Sequence, residues 1–258
     1  MWVKGSGSPT KEARDGVPPP RRRPRWPVAA ALTTLLALTA APASASYLTP
    51  QPPFITLGTD APAGSSVLAI INSGDVLDGF TFEGIPDGIG LMPGPGGTVE
   101  ALVNHEQSRV AFLAQADFID SSVSRLTLDS SGGVVDASVA IPDSVGFIRF
   151  CSSFMAGPAE GFSSYTYFTN EESNDVLAVP PGAPYGPDPA LDPNRQAGYV
   201  VVLDPVTGEF TQVPGMGRHN HENAVVVPGG WNPIAILSGD DTFSAPASQL
   251  YLYLARNE

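Results

Sequence analysis

Short apolar runs alternate with segments rich in Gly, Pro, Ser and Asp along most of the chain. Where two runs flank such a segment, the pattern predicts a β-hairpin, because the turn residues reverse the chain and the runs pair. The clearest turn is Asp204–Gly208, in which Asp-Pro begins the reversal and glycine permits a positive φ. Hairpins are predicted at 88–103, 124–141 and 198–213. Further strands are predicted at 67–71, 147–151, 164–170, 223–227, 233–238 and 249–255.

This pattern indicates an all-β protein of about eleven strands, a class that includes propellers, sandwiches and barrels. The 27 glycines and 27 prolines argue against a helical bundle. A short helix is predicted only at 106–117. Several strands run into Asn or Gly beside acidic residues. This recurrence favours a β-propeller, in which strand ends can point carboxylates at a central channel. The recurrences lie at 102–106, 168–172, 219–223 and 237–241.

The first 45 residues have the pattern of a secretory signal peptide with a leader. An arginine cluster at 21–25 precedes an apolar run at 28–41, and small residues follow at 43–45. The run is about 14 residues long, too short to span a bilayer comfortably, so a membrane anchor is the weaker alternative. We expect cleavage after Ala45, a secreted or periplasmic protein and no stable membrane insertion after cleavage. General export and the twin-arginine route both stay open.

Two segments are expected beyond the signal peptide. Residues 46–66, rich in Pro, Gly and Ser, predict an extended lead-in, and residues 67–258 predict one β-propeller-like domain. Within that domain, residues 178–197 hold six prolines. A connection of this length is either a functional surface loop or a segment without fixed structure.

Charge narrows the classes of function. The whole chain has a formal net charge of −13, and the residues after the signal peptide keep six basic side chains against 24 acidic ones, a net charge of −18. Such a chain is not a nucleic-acid-binding protein, because it has no basic surface to neutralise phosphates. Its acidity favours cation binding, above all of Ca²⁺, which prefers clustered carboxylates. The alternative is that acidity only keeps an exported protein soluble.

The candidate metal ligands are carboxylates at the ends of predicted strands. Neighbouring residues of a strand point to opposite faces, so only one of each adjacent pair need face a metal. An ordinary role in a turn is the alternative for each. The candidates are Glu106, Glu171, Glu172, Glu222, Asp240 and Asp241.

Histidine, cysteine and arginine side chains in the same segments add further candidates. Histidine suits metal ligation or acid–base chemistry, and equally a structural hydrogen bond. The only cysteine, Cys151, is either a small buried hydrophobe or a thiolate ligand of iron. Arg218, and after it Arg149, suits two-pronged binding of a phosphate or carboxylate. The three histidines are His105, His219 and His221.

Four segments resemble motifs of the PhoX-type alkaline phosphatases and follow one another in that family's order. The segment 87–106 contains Asp-Gly-Ile-Gly and Val-Asn-His-Glu, and 151–172 contains Cys followed by Glu-Glu. The segment 217–226 begins Gly-Arg-His-Asn-His-Glu, and 239–241 is Gly-Asp-Asp. Together these motifs span 87–241, and the chain resembles a fragment or a distant member of the family.

The resemblance implies an exported, monomeric, six-bladed β-propeller that hydrolyses phosphate monoesters at a site on its axis. It implies Ca²⁺ and Fe³⁺ as cofactors and a small phosphorylated molecule as substrate. Carried over residue by residue, it implies Cys151 as an iron ligand and Arg218 as the catalytic residue that holds the phosphate. The other implied metal ligands are Glu222, one of Glu171 and Glu172, one of Asp240 and Asp241, and Glu106.

Residues 67–258 suffice for about four blades rather than six. We therefore expect an incomplete propeller, truncated at its C-terminal end. Two other functions stay open. One is a non-catalytic, calcium-stabilised propeller that binds a partner through 178–197. The other is a propeller that hydrolyses esters or lactones with the help of calcium. The chain contains neither G-x-S-x-G nor a phosphate-binding P-loop, so serine hydrolase and NTPase functions lack support.

Overall fold

The computed structural model describes residues 46–107, 120–173, 176–178, 194–242 and 248–255, which belong to the structural unit 44–258. The prediction of an all-β protein is confirmed, because this part of the chain consists of antiparallel strands and short turns. Its helical elements are 3₁₀ turns of three residues each, at Pro95–Gly97, Asp143–Val145, Pro158–Glu160 and Pro214–Met216. Within the described ranges, no helix has the length and apolar character needed to cross a membrane.

The strands group into three main sheets and two small hairpins. The first hairpin consists of β1 (Val76–Leu77) and β2 (Phe80–Thr81). Sheet I consists of β3 (Pro86–Pro93), β4 (Val99–His105), β5 (Ser122–Leu128) and β6 (Val134–Ile141). Sheet II consists of β7 (Phe150–Ala156), β8 (Thr166–Glu171), β11 (Val200–Leu203) and β12 (Phe210–Gln212). The second small hairpin, β9 (Val176–Ala178) and β10 (Asn194–Gln196), lies between β8 and β11 in the chain. Sheet III consists of β13 (His221–Val226), β14 (Ala235–Asp240) and β15 (Leu250–Leu254).

The three predicted hairpins are confirmed as β3–β4, β5–β6 and β11–β12. The strand predicted at 67–71 is wrong, because these residues form no strand. Ile70 and Ile71 instead pack against sheet I, and the carbonyl of Ile70 accepts the N–H of Thr49 at 3.0 Å. The run is apolar because its side chains are half-buried by this packing, and not because it takes part in a sheet.

Three predictions fall wholly or mostly outside the described residues. They concern the signal peptide at 1–45, the helix at 106–117 and the proline-rich loop at 178–197. In the predicted lead-in, Tyr47 forms an isolated β-bridge with Val134 of sheet I, with two backbone hydrogen bonds of 2.8 Å.

The main sheets stack face to face in chain order, and apolar side chains fill the spaces between them. The core between sheets I and II includes Leu102, Ile141, Phe150 and Tyr167. The core between sheets II and III includes Phe168, Val200, Ala224, Val226 and Ile236. A third core covers the other face of sheet I, where Tyr47, Ile70 and Leu77 pack on Val103 and Leu126.

Each main sheet begins in the same way. Its first strand meets its second at one residue pair, and a shift of register follows directly. The pairs are Pro86–His105, Phe150–Glu171 and His221–Asp240. The residue after the second strand then donates its N–H to the carbonyl just before the first strand. These hydrogen bonds are Glu106 to Ile85 at 3.2 Å, Glu172 to Arg149 at 3.0 Å and Asp241 to Asn220 at 3.0 Å.

The backbone is unusual at these strand starts. Ile85 and Arg149 have φ values of 45° and 48°, in the left-handed region that non-glycine residues avoid. At Gly88 a Cβ would lie 2.5 Å from the carbonyl oxygen of Cys151, so only glycine allows β3 to approach β7 this closely. Sheets I and II therefore converge where their first strands begin.

Candidate metal centre

Six polar side chains come together where the first two strands of each main sheet meet. The second residue of each first strand contributes one side chain, and the residue that follows each second strand contributes another. We call these six residues the acidic cluster. They are Asp87 and Glu106 from sheet I, Cys151 and Glu172 from sheet II, and Glu222 and Asp241 from sheet III.

Cys151 is at the centre of the acidic cluster. Its sulfur lies with one carboxylate oxygen each of Asp87 and Glu106 in a group whose atoms are all within 4.8 Å of one another. The same sulfur forms a second such group with Glu172 and Glu222. The thiol donates to Oδ2 of Asp87 at 3.0 Å, and the side chain of Asp241 is hydrogen-bonded to that of Glu172.

Burial and the negative charges of neighbouring carboxylates disfavour ionisation of four side chains in the acidic cluster. Partial burial, followed by a hydrogen bond and charge repulsion from Asp87, raises the pKa of Glu106 to about 7. Burial is also the main cause of the raised pKa of Glu172, to which Asp241 adds. Burial and the charges of Glu172, Asp241 and Asp87 raise the pKa of Glu222. Burial, and then hydrogen bonds to Glu172 and Asp87, raises the pKa of the Cys151 thiol. A bound cation would favour the ionised form of all four side chains and so oppose these rises in pKa.

Arg149 is the arginine whose charge acts on the cluster, since it opposes the rise in the pKa of Glu172. Its Nη1 donates to the backbone carbonyl of Glu172 at 3.3 Å. Arg218 is held elsewhere: its guanidinium carbon lies 3.4 Å from the centre of the Tyr199 ring, and its Nε donates to the carbonyl of Ala197 at 3.1 Å. The structure thus brings the second arginine candidate, rather than the first, to the carboxylates.

The structure separates the two members of each adjacent acidic pair. Glu171 is fully buried and accepts the backbone N–H groups of Ile148 at 2.9 Å and Tyr199 at 3.0 Å. Asp240 accepts the hydroxyl of Thr242 at 2.7 Å. Glu172 and Asp241 are the members that join the cluster, in keeping with the alternation of side chains along a strand.

The three histidines make hydrogen bonds inside the sheets. In His105, Nε2 lies 2.8 Å from the hydroxyl of Ser124, and burial lowers the pKa of the ring to about 4. In His221, Nδ1 lies 2.7 Å from the hydroxyl of Ser238, and burial, with the neighbouring His219, lowers the pKa to about 4. The rings of His219 and His221 are 3.6 Å apart. These contacts match the structural alternative for the histidines.

Asn104 connects the cluster to the core. It is fully buried, and its Nδ2 donates to the carbonyls of Cys151 and Ser152, each at 3.1 Å. Its Oδ1 accepts the hydroxyls of Tyr167 at 2.8 Å and Thr169 at 2.9 Å. The side chain therefore fixes β7 at its register shift, where Cys151 lies.

Sequence reasoning missed Asp87 as a candidate ligand, although the signal is present. The two cluster residues of each sheet are 19 positions apart in sheet I, 21 in sheet II and 19 in sheet III. Equivalent residues of successive sheets are 64 and 71 positions apart for the first strands (Asp87 to Cys151, Cys151 to Glu222), so the repeat has no single fixed period.

In metal-free protein, Glu106→Gln is expected to raise the free energy of unfolding more at pH 8 than at pH 5. The pKa of Glu106 is about 7 in the folded chain against 4.5 for a free carboxyl. Its charge thus penalises the fold above pH 7, and the penalty disappears as the pH falls towards 4.5. The lowered histidine pKa values destabilise both proteins alike on acidification, so they cancel in the comparison. Urea unfolding with a chelator at both pH values measures the difference, and an equal effect at pH 8 and pH 5 would contradict the expectation.

Comparison with known proteins identifies no relative: no family model, no curated protein and no solved structure matches the chain.

Proposed function

We propose that this protein is an exported, metal-dependent phosphatase-like protein that hydrolyses phosphate monoesters at a calcium- and iron-binding site on the axis of a β-propeller. One observation carries the proposal: three successive sheets each supply two side chains, from equivalent positions, to the acidic cluster. Carboxylates scattered for solubility would not recur at the same two positions of three sheets. Membership of the PhoX-type family is part of the proposal, and it rests on the four motifs.

The propeller is supported by the topology of the described sheets. In each, the strands lie side by side in the order in which they occur along the chain, as in a propeller blade whose strands run outward from the axis. In sheet II the β9–β10 hairpin is inserted between β8 and β11. The first strands β3, β7 and β13 pack next to one another, so each would be the innermost strand of its blade. This arrangement would put the acidic cluster beside the central channel. The described residues account for three blades.

The donor atoms of the cluster fit the two proposed cations. Ca²⁺ takes several oxygen ligands from flexible carboxylates, and Asp87 and Glu106 offer them on one side of Cys151. A thiolate with carboxylates suits iron, and Cys151 offers it together with Glu172 and Glu222. Bound cations would neutralise the phosphate and stabilise the charge that develops during hydrolysis.

The chain's own contribution would be to bind and orient the phosphate. Arg149 already lies beside Glu172, and its planar guanidinium can donate two parallel hydrogen bonds to phosphate oxygens. It would take the role that the resemblance gives to Arg218. Asp87 is exposed, while Glu106 and Cys151 are half-buried, so a small phosphorylated molecule can reach the cluster from solvent. Export is proposed from the arginine-rich and apolar pattern of residues 1–45.

The metal content of the purified full chain tests the proposal. After equilibration with Ca²⁺ and Fe³⁺ and removal of excess ions, we expect stoichiometric amounts of both metals and hydrolysis of p-nitrophenyl phosphate. Cys151→Ser should lose the iron, and Glu222→Gln should lose metal and activity. Glu209→Gln, which changes an exposed carboxylate in the β11–β12 turn, is the matched control and should keep both.

The other outcomes assign the remaining functions. A folded, soluble protein without bound metal would contradict the metal site. Calcium without iron or phosphatase activity would favour the non-catalytic, calcium-stabilised propeller. Calcium-dependent hydrolysis of p-nitrophenyl acetate without phosphatase activity would favour the esterase or lactonase.

A further inference from the structure

Ser46 and Tyr47 pack against the turn between β5 and β6 of sheet I, residues 129–133. Tyr47 exchanges two backbone hydrogen bonds of 2.8 Å with Val134, the residue that follows this turn. The side chain of Ser46 is hydrogen-bonded to that of Asp129 within the turn. The first residues of a domain usually fray unless something ties them down, so the turn holds this segment in place.

Gly133 leaves the space that Ser46 occupies. A Cβ on residue 133 would lie 2.7 Å from Cβ and 2.9 Å from Oγ of Ser46, which is too close for any residue but glycine. Oδ2 of Asp129 lies 3.4 Å from the same point. The turn therefore forms a notch that is lined by a carboxylate and filled by Ser46.

The carboxylate of Asp129 has a fixed orientation. Its Oδ1 accepts the hydroxyl of Ser131 at 2.6 Å, the N–H of Ser131 at 2.8 Å and the N–H of Gly133 at 3.1 Å. These hydrogen bonds, that of the Ser131 hydroxyl first, lower the pKa of Asp129. Asp129 is therefore ionised at neutral pH, and Oδ2 is the oxygen that faces Ser46.

We propose that the β5–β6 turn binds the N-terminus that cleavage after Ala45 creates, through an ion pair between the ammonium group of Ser46 and the carboxylate of Asp129. The proposal rests on the export part of the proposed function and not on the metal site. Hydrolysis adds the hydroxyl of water to the carbonyl carbon of Ala45 and a proton to the nitrogen of Ser46. The proton that the new carboxyl group then releases balances the one that the amine takes up, since an α-amino group has an ordinary pKa of about 7.7–8.0.

The position of the notch agrees with the predicted cleavage site. The small residues at 43–45 predict cleavage directly before Ser46, and the structural unit begins at Ser44. The new ammonium group is bonded to Cα of Ser46, whose hydroxyl already contacts Asp129, so the two charges meet without any movement of the turn. Tyr47 comes next and packs on sheet I beside Val103 and Leu126. The ion pair would thus fix the end of the segment that covers this face of sheet I.

Acetylation of the N-terminus tests the ion pair, because the chain has no lysine after Lys11. The ammonium group of Ser46 is therefore the only primary amine of the cleaved protein. The full chain is expressed in an exporting bacterium, and the mass of the exported protein should equal that of residues 46–258. An acetyl ester of N-hydroxysuccinimide at pH 7.5 should acetylate the wild type about two- to fivefold more slowly than Asp129→Asn, a ratio that suits an exposed ion pair.

Two further variants separate the charge from the turn. Asparagine at 129 keeps an acceptor for the N–H groups of the turn, so Asp129→Asn removes only the charge. Asp204→Asn is the matched control, because Asp204 likewise accepts two N–H groups in the β11–β12 turn of sheet II. It should react at the wild-type rate. Gly133→Ala fills the notch and should speed acetylation as Asp129→Asn does.

Three results would overturn the proposal. They are an exported protein that keeps residues 1–45 or begins at a residue other than Ser46, equal rates of acetylation in the wild type and Asp129→Asn, and an equal acceleration by Asp204→Asn. Metal content and phosphatase activity are measured on the same exported samples. If both are absent while the acetylation rates differ as expected, the metal site is wrong and the N-terminal binding site stands.

Discussion

Replacing Glu171 by alanine is expected to lower the free energy of unfolding by about 2–5 kcal/mol, since one buried and one partly buried backbone donor each lose an acceptor at about 1–3 kcal/mol. The two oxygens of Glu171 accept the N–H groups of Ile148 and Tyr199, and the side chain is fully buried. Alanine would leave both donors without an acceptor and would open a cavity at the same point. Glu171 thus ties the start of sheet II to the residue before β11.

Replacing the neighbouring Glu172 by alanine is expected to change the free energy of unfolding in the opposite direction in metal-free protein. Glu172 faces Cys151, Glu222 and Asp241, and its raised pKa shows that the fold disfavours its ionised form. Removal of this charge relieves repulsion at pH 8, so the free energy of unfolding should rise. Ca²⁺ should stabilise the Glu171→Ala variant as much as the wild type, and the Glu172→Ala variant much less.

Urea unfolding at pH 8, with a chelator and then with Ca²⁺, distinguishes the two glutamates. Glu209→Ala serves as the reference for loss of an exposed carboxylate and should change little. Equal losses of stability in Glu171→Ala and Glu172→Ala would show that the two side chains do not differ in role. A calcium response that Glu172→Ala leaves intact would remove Glu172 from the metal site.

The hairpins are predictable from the sequence because their determinants are local. Asp204–Gly208 contains everything that its turn requires: the carboxylate of Asp204 accepts the N–H groups of Val206 and Thr207, and Gly208 has a φ of 75°. The apolar run at 67–71 misled because burial, rather than strand pairing, explains its composition. A single apolar run does not show whether its residues pair within a sheet or only pack against one.

The acidic cluster is only partly predictable. Alternation along a strand predicts that only one of Glu171 and Glu172 joins the cluster, but which of the two does so depends on how β8 packs between β7 and β11. Asp87 lies just before the predicted hairpin 88–103, and its contact with Cys151 forms only because β3 lies against β7. The charge of Arg149 acts on Glu172, whereas Arg218 stacks on the ring of Tyr199. These are contacts between distant parts of the chain, which no local pattern contains.

Replacing Asn104 by leucine is expected to cost about 3–5 kcal/mol of stability, because the buried amide loses four hydrogen bonds at roughly 1 kcal/mol each. Leucine has the same branched arrangement of heavy atoms as asparagine, so the loss comes from the missing hydrogen bonds rather than from a cavity. The carbonyl of Cys151 would lose the amide donor and the hydroxyl of Thr169 the amide acceptor. The carbonyl of Ser152 would keep Nδ2 of Asn170 at 3.2 Å, and the hydroxyl of Tyr167 would keep the carbonyl of Gly88 at 3.2 Å. With β7 released at its register shift, the thiol of Cys151 should react faster with a disulfide reagent in folded, metal-free protein.

Thr169→Val provides the matched comparison for Asn104→Leu. It removes one of the four hydrogen bonds with almost no change of shape, so it should cost about 1 kcal/mol and leave the reactivity of Cys151 unchanged. The free energy of unfolding and the rate of the thiol reaction are both measured. If the core only loosened in general, the thiol of each variant would react faster in proportion to the stability that the variant has lost. If Asn104→Leu costs no more than Thr169→Val, or leaves the thiol as slow as in the wild type, then Asn104 does not hold β7, and the position of Cys151 has another cause. The expected pattern instead makes the buried amide the link through which the packing of sheets I and II sets the position of the thiol at the centre of the acidic cluster.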